Sequence, residues 1–175
     1  MLALFYFGQP GQPAQLSRIP LETVTHALDW AEERDISTDP VTLVGTSKGA
    51  ELAALLPGHE PRVDNVVLFA PFDHVTQGLD MRDTASSWTF QGQEVPYLAF
   101  AGATDLTPTL GLTAATVLGS PIHLRPVYES VLDAPGAVDT RIDLSLVPGE
   151  VLIFAGGDDQ LWPAADSARR FAEMR

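Results

Sequence analysis

The feature that most constrains the fold is a short turn, Gly45-Thr-Ser-Lys-Gly49, between an apolar run and a segment rich in Ala and Leu. The run Val41–Gly45 predicts a strand, and Ser47–Leu56 predicts a helix that ends before the following Pro-Gly pair. A G-x-S-x-G turn in this context holds its serine in a strained backbone conformation, with the hydroxyl raised from the sheet. We expect both glycines to be required, because a side chain at either position would collide with neighbouring backbone.

Ser47 is therefore the candidate nucleophile. The backbone N–H of Lys48 is expected to face the developing oxyanion, helped by the positive end of the helix dipole. The alternative is a serine that caps the helix after a Gly-rich turn, and the strand–turn–helix context favours the nucleophile. The Lys48 side chain is expected to lie outward or to pair with Glu51, because adjacent residues on a helix do not face each other.

The remaining hydrophobic pattern predicts an α/β fold with a mostly parallel sheet. Further strands are predicted at Ala3–Phe7, Val63–Ala70 and Val151–Ala155, and further helices at Pro20–Arg34 and Pro163–Met174. Such alternation is typical of a parallel sheet with helices on both faces, here in one domain covering residues 1–175. A long excursion, residues 71–148, is expected to lie over the strand ends, where α/β proteins keep their sites.

Composition and charge exclude several classes of function. Acidic residues outnumber basic ones by 23 to 10, so a nucleic-acid partner is not expected. The lack of cysteine excludes disulfides, thiolate metal sites and a cysteine nucleophile, and it indicates a cytoplasmic location. No apolar stretch has the length of a membrane span, and the opening Met1–Phe7 lacks the basic flank of a signal peptide. Metal-ligand spacing is absent, so we expect no metal.

An acid is expected in the loop after the Val151–Ala155 strand, because hydrolases with this turn order their triad as nucleophile, acid and histidine along the chain. The loop Gly156–Pro163 has the spacing G-x-x-D-x-x-x-P, which selects Asp159, with Asp158 as the second candidate. A carboxylate here would orient and stabilise an imidazolium. The alternative is a pair of aspartates that cap the following helix.

Taken together, these residues resemble one family. The segment Val44-Gly-Thr-Ser-Lys-Gly-Ala-Glu-Leu52 is similar to the C-terminal α/β-hydrolase domain of the acyl-CoA thioesterases and bile acid-CoA:amino acid N-acyltransferases. Further segments agree in the same order, namely Leu2–Gly8, Ser86–Gly92 with Pro96-Tyr97, and Gly156–Pro163. The resemblance implies cleavage of acyl-CoA thioesters through an acyl-Ser47 intermediate, with no cofactor beyond the substrate's own CoA. A serine nucleophile favours hydrolysis over transfer to an amino acid.

The chain departs from this family in its histidine. The family places that residue in a loop after one more strand beyond the acid. It also has further strands and a β-rich domain before the Gly45–Gly49 turn, which we call the elbow. The chain therefore resembles the middle of a hydrolase domain, that is, a partial α/β-hydrolase fold. His74 is the candidate substitute base, because it follows the Val63–Ala70 strand, although a base must reach Ser47 within hydrogen-bond distance. The other histidines are expected elsewhere: His26 in the Pro20–Arg34 helix as a structural or surface residue, His59 solvated in a turn, and His123 in the excursion.

Several alternatives stay open. The same turn also suits an esterase or a dienelactone-hydrolase-like enzyme, or a non-catalytic hydrolase fragment that binds a ligand or a partner. Four aromatic residues either line an acyl pocket or pack the excursion onto the sheet, namely Trp88, Phe90, Tyr97 and Trp162. Unpaired edge strands of a partial sheet predict association into a homo-oligomer.

Overall fold

The computed structural model describes residues 1–80, 82–103, 105, 107–121 and 123–175. Its strands are β1 (Ile19–Pro20), β2 (Val41–Thr46), β3 (Val63–Phe69), β4 (Trp88–Phe90), β5 (Gln93–Glu94) and β6 (Val151–Phe154). Its α-helices are α1 (Glu22–Glu32), α2 (Lys48–Leu55), α3 (Thr107–Leu118), α4 (Arg125–Glu129) and α5 (Ala164–Ala172). The chain thus has a mixed α/β architecture.

Strands β2, β3 and β6 form a parallel sheet in that order. The three sheet strands, together with α1, α2 and α5, lie where the sequence predicts them, to within two residues at each end. All three strands run in the same direction, so their carboxyl ends meet at one edge. The turn after β2 and the loop after β6 therefore lie on the same side of the sheet, with β3 between them.

Only one face of this sheet is covered by helices in the described residues, so the expectation of helices on both faces is wrong for them. Apolar residues from α1, α2 and α5 share a single core cluster with the inward side chains of the strands, such as Val66 and Leu68. Strand residues alternate between faces, and the opposite face leaves Val44, Leu152 and Phe154 exposed. Phe69 and Phe154 stack on that face, with ring centroids 4.7 Å apart.

The predicted strand at Ala3–Phe7 is also wrong, because the segment forms no strand. A strand needs a neighbour to receive its backbone hydrogen bonds, and β2 pairs with β3 alone. The apolar side chains of the segment are used differently. Leu2 and Leu4 line a shallow hollow with Trp30 on α1, and Tyr6 packs against the core.

The excursion, residues 71–148, contributes β4, β5, α3 and α4. Strand β4 pairs in parallel with β1 and in antiparallel with β5, which forms a second, smaller sheet. The excursion also contacts the loop after β6, since the N–H groups of Leu124 and Arg125 donate to the carbonyl oxygen of Gln160. None of the helices within the described residues has both the length and the hydropathy required to cross a membrane.

Candidate active site

The backbone of Ser47 is strained. The residue has φ 55° and ψ −123°, a region that non-glycine residues rarely occupy, and it stands between the end of β2 and the start of α2. Its N–H donates to the carbonyl oxygen of Phe69 at 2.9 Å, which ties the turn to the neighbouring strand. Its hydroxyl makes no capping hydrogen bond to α2. The half-buried side chain is therefore not used as a helix cap.

The two glycines of the turn differ in what surrounds them. A Cβ added to Gly45 would lie 2.0 Å from the carbonyl oxygen of Gly49, so no side chain fits there. A Cβ added to Gly49 would meet only the hydroxyl of Tyr6, at an ordinary contact distance of 3.6 Å. The expectation of an obligatory glycine therefore holds for Gly45 and is wrong for Gly49, because β2 and α2 cross closely on one side of the turn only.

The first turn of α2 carries a buried ion pair. Lys48 Nζ donates to the two carboxylate oxygens of Glu51, at 2.7 and 2.8 Å, and to Thr76 Oγ1 at 2.7 Å. The pairing with Glu51 was one of two expected positions for Lys48, and the outward position is wrong, since the lysine is 5% exposed. The three N–H bonds of the ammonium are all used.

Glu51 is completely buried, and its remaining acceptor positions are used by the excursion. Its Oε1 accepts from the indole Nε1 of Trp88 at 2.8 Å and from the Thr76 N–H at 3.1 Å. Burial lowers the pKa of Lys48, and the charge of Glu51 opposes that shift. The cluster joins the elbow to two excursion segments. The sequence does not predict that Thr76 and Trp88 belong to this cluster, because their contacts with Glu51 span 25 and 37 residues.

The oxyanion donor proposed from the sequence is the Lys48 N–H. Lys48 is the first residue of α2, so its N–H has no carbonyl partner within the helix. The position next to Ser47 leaves that N–H at the positive end of the helix, where it can stabilise a developing negative charge.

The loop after β6 holds the two candidate acids. Asp159 Oδ1 accepts from the N–H of Leu161 at 2.8 Å, a local turn contact, and the residue is half-buried. Asp158 is exposed and accepts from the side chain of Gln160 at 2.6 Å. Since β3 separates β6 from β2, the carboxyl ends of β2 and β6 are roughly 9–10 Å apart by the usual spacing of strands, and Ser47 and Asp159 follow those two ends. Direct contact between the acid and the serine is therefore not expected.

His74, the candidate base, lies shortly after β3 and is buried. Its ring packs against Phe72 at 5.6 Å, and its Nδ1 lies 3.2 Å from Asp73 Oδ1 without the alignment of a hydrogen bond. Its backbone pairs with Arg141 in an isolated bridge. Among the described residues, the Ser47 hydroxyl makes no hydrogen bond to an imidazole or to a carboxylate, so the structure does not join His74 or Asp159 to the nucleophile.

Asp73 forms a second buried charged cluster, which the sequence analysis missed. Its carboxylate accepts from Arg170 on α5 at 2.5 and 2.6 Å and from the hydroxyl of Ser167 at 2.8 Å. Burial alone would raise the pKa of Asp73, but the hydrogen bonds from Arg170 and the contact with His74 outweigh it and hold the pKa well below its usual range. The start of the excursion is thereby fixed to the helix that follows the acid loop.

Three histidines and four aromatic residues remain among the predicted site features. His26 and His123 are exposed, as expected for His26, whereas His59 is half-buried against Phe90, with ring centroids 4.5 Å apart. The expectation of a solvated His59 is therefore wrong, and burial lowers its pKa. Of the four aromatic residues, Trp88 and Trp162 are buried in two separate apolar clusters, which favours packing over an acyl pocket. The described residues hold no group of three or more His, Asp and Glu side chains suited to a metal ion.

Comparison with known proteins leaves the family of the chain unassigned. No family model matches the sequence, and a search of curated proteins finds no match. Any functional assignment therefore depends on the residues and geometry of the chain itself.

Proposed function

We propose that this chain is a serine hydrolase with a partial α/β-hydrolase fold, which cleaves acyl thioesters or esters through an acyl-Ser47 intermediate. The observation that supports it most is the backbone of Ser47, strained at φ 55° between a parallel strand and a helix. Such strain costs about 1–3 kcal/mol and is concentrated at functional sites. A capping serine has no need of this conformation, and its hydroxyl would accept a bond that Ser47 does not make.

In the proposed reaction the Ser47 hydroxyl attacks the acyl carbonyl, and the leaving thiol or alcohol departs before water releases the acyl group. The Lys48 N–H stabilises the oxyanion. An imidazole between Ser47 and Asp159 would take the serine proton, with the carboxylate holding it in orientation. His74 follows the intervening strand β3, and it is the candidate for this role within the chain, provided that it turns away from Asp73.

The resemblance of the Val44–Leu52 segment to the acyl-CoA thioesterase family supports an acyl thioester as substrate, and an esterase or dienelactone-hydrolase-like activity is the alternative within the same chemistry. A second candidate function is a binding module that keeps the elbow without turnover. It is favoured by one observation, namely that no histidine is hydrogen-bonded to the Ser47 hydroxyl among the described residues.

A fluorophosphonate probe tests the proposal. We expect covalent labelling at Ser47, located by peptide mass spectrometry, and no labelling of the Ser47→Ala variant. If His74 is the base, His74→Ala should slow labelling by about 10²-fold or more. A folded wild-type protein that stays unlabelled would support the binding module instead.

A further inference from the structure

Eight of the nine arginines of this chain have a carboxylate oxygen within 4 Å. All ten basic side chains lie in the part of the chain that the structure describes. Six of the arginines pair with carboxylates other than Asp73, namely Arg18, Arg34, Arg62, Arg82, Arg125 and Arg169. Arg141 and Arg170 both lie beside Asp73, and the Arg175 guanidinium donates to backbone carbonyl oxygens. The one remaining basic side chain is Lys48.

Lys48 stands next to the nucleophile, so it is the cation best placed to meet an anionic substrate. The structure removes it from that role, because it is buried and its three N–H bonds go to Glu51 and Thr76. The loops at the same sheet edge instead carry the carboxylates of Asp158 and Asp159, with Asp158 exposed. The exposed Asp158 therefore adds negative charge at this edge, within a chain of net charge −13.

We infer that the acyl carrier recognised by this chain is uncharged, an ester or a pantetheine-like thioester, and that the phosphates of CoA have no binding site on it. This inference rests on the proposed hydrolase function and narrows its substrate class. Phosphate recognition uses arginine or lysine side chains that are free to form paired, charge-assisted hydrogen bonds. Exposed ion pairs are weak, so an arginine such as Arg82 can exchange its partner. An arginine that leaves its carboxylate to bind a phosphate, however, places an unpaired carboxylate close to that phosphate, and the two negative charges repel each other.

The test compares thioesters that carry the same acyl group on pantetheine and on CoA, which differ by the phosphorylated adenosine nucleotide that only CoA carries. We expect kcat/KM to be about tenfold or more higher for the pantetheine thioester at low salt, because the negative field of the protein repels CoA. Added NaCl should raise kcat/KM for the CoA thioester alone and bring the two values together. A CoA thioester that is cleaved as fast or faster, with a rate that falls as salt is added, would overturn the inference.

Matched variants locate any hidden phosphate contact. Arg82→Gln and Arg169→Gln remove two arginines whose side chains are 77% and 71% exposed. We expect both to leave the ratio of the two kcat/KM values unchanged. A selective loss for the CoA thioester in either variant would show that an arginine does bind its phosphates.

Binding of free CoA, measured by calorimetry at low salt, separates failure of the inference from failure of the proposed function. We expect no saturable binding in the micromolar range, whether or not Ser47 reacts with a fluorophosphonate. Micromolar binding contradicts the inference alone. An unreactive Ser47 without CoA binding contradicts the hydrolase function and leaves the absence of a phosphate site standing.

Discussion

The elbow after β2 and the acid loop after β6 end two strands of one sheet, yet they are held in different ways. At the elbow, backbone crosses backbone so closely that a Cβ on Gly45 would lie 2.0 Å from a carbonyl oxygen. In the acid loop, a Cβ on Gly156 or Gly157 would meet no atom within 4 Å. Asp158 and Asp159 accept hydrogen bonds from residues of their own loop.

This difference indicates which part of the site can keep a strained backbone conformation. A strained residue persists only when its surroundings over-determine its conformation. The elbow meets this condition through the close crossing at Gly45 and the buried bonds of Lys48 and Glu51. The two aspartates of the acid loop are bonded only to residues of their own loop, so their side chains can adjust to a ligand. The proposed nucleophile is thus on the rigid side of the site and the proposed acid on the adaptable side.

Substitution of Gly45 by alanine is expected to have the largest effect. The added Cβ would force β2 and α2 apart, so we expect a loss of about 4 kcal/mol or more in the free energy of unfolding, or no folded protein. Chemical denaturation followed by circular dichroism measures it. Gly157→Ala in the acid loop is the matched control, with an expected change within about 0.5 kcal/mol.

Gly49→Ala sharpens the same experiment within the elbow. Its Cβ has room, and alanine is favoured over glycine in a helix by roughly 0.5–1 kcal/mol, so we expect a stability equal to or above that of the wild type. Equal destabilisation by Gly45→Ala and Gly49→Ala would contradict the difference in space that the structure shows at the two glycines.

Lys48→Met is expected to have the next largest effect. It leaves the Glu51 carboxylate buried without its counter-ion, a change that typically costs about 3–5 kcal/mol. The double variant Lys48→Met/Glu51→Leu removes both charges, and we expect it to recover most of that loss in denaturant titrations. If the double variant were no more stable than the single one, the hydrogen bonds of Thr76 and Trp88 to Glu51, and not charge burial, would dominate the cluster.

Much of the α/β framework could be predicted from the sequence, because it depends on local patterns. The apolar runs at 41–45, 63–70 and 151–155 and the helical spacing between them identify the strands and helices of the main sheet. Ala3–Phe7 has the same local pattern but no strand beside it, and pairing depends on neighbours that a local pattern does not describe. The hydrophobic periodicity of the strands also does not predict which face of the sheet the helices cover, since either face can receive a helix.

In the candidate site, too, local features could be predicted from the sequence and long-range contacts could not. The conformation of the turn around Ser47 could be predicted because it depends on five consecutive residues, Gly45–Gly49. The partners of Glu51 could not, because Thr76 and Trp88 come from the excursion, whose path no short motif specifies. The sequence does indicate part of the cluster, because Lys48 is followed by Glu51 one helical turn later. Opposite charges at this spacing on a buried helix are expected to form an ion pair.

Acid pH tests the buried cluster on the acid-loop side. Asp73 has a lowered pKa in the folded protein, so below about pH 4 the unfolded chain binds this proton more readily and acid favours unfolding. We expect stability to be full near pH 7 and to fall as the pH drops toward 3. Arg170→Met removes the bonds that hold this pKa low, so its stability should depend less on pH over the same window, as measured by denaturation at each pH. An unchanged slope would assign the acid sensitivity to other carboxylates.

The smallest expected effect addresses the strain itself. At Ser47, glycine relieves a positive φ that costs about 1–3 kcal/mol, against a loss of roughly 0.5–1 kcal/mol from its greater freedom in the unfolded chain. Ser47→Gly should therefore be more stable than Ser47→Ala by about 1 kcal/mol. At Asp158, which has no positive φ, the order should reverse, with Asp158→Gly less stable than Asp158→Ala. Each pair compares glycine with alanine at one site, so an opposite sign at the two sites in denaturation experiments reports the strain of the positive φ at Ser47. The same sign at both positions would mean that Ser47 is relaxed, and the main structural support for a nucleophile at this turn would be lost.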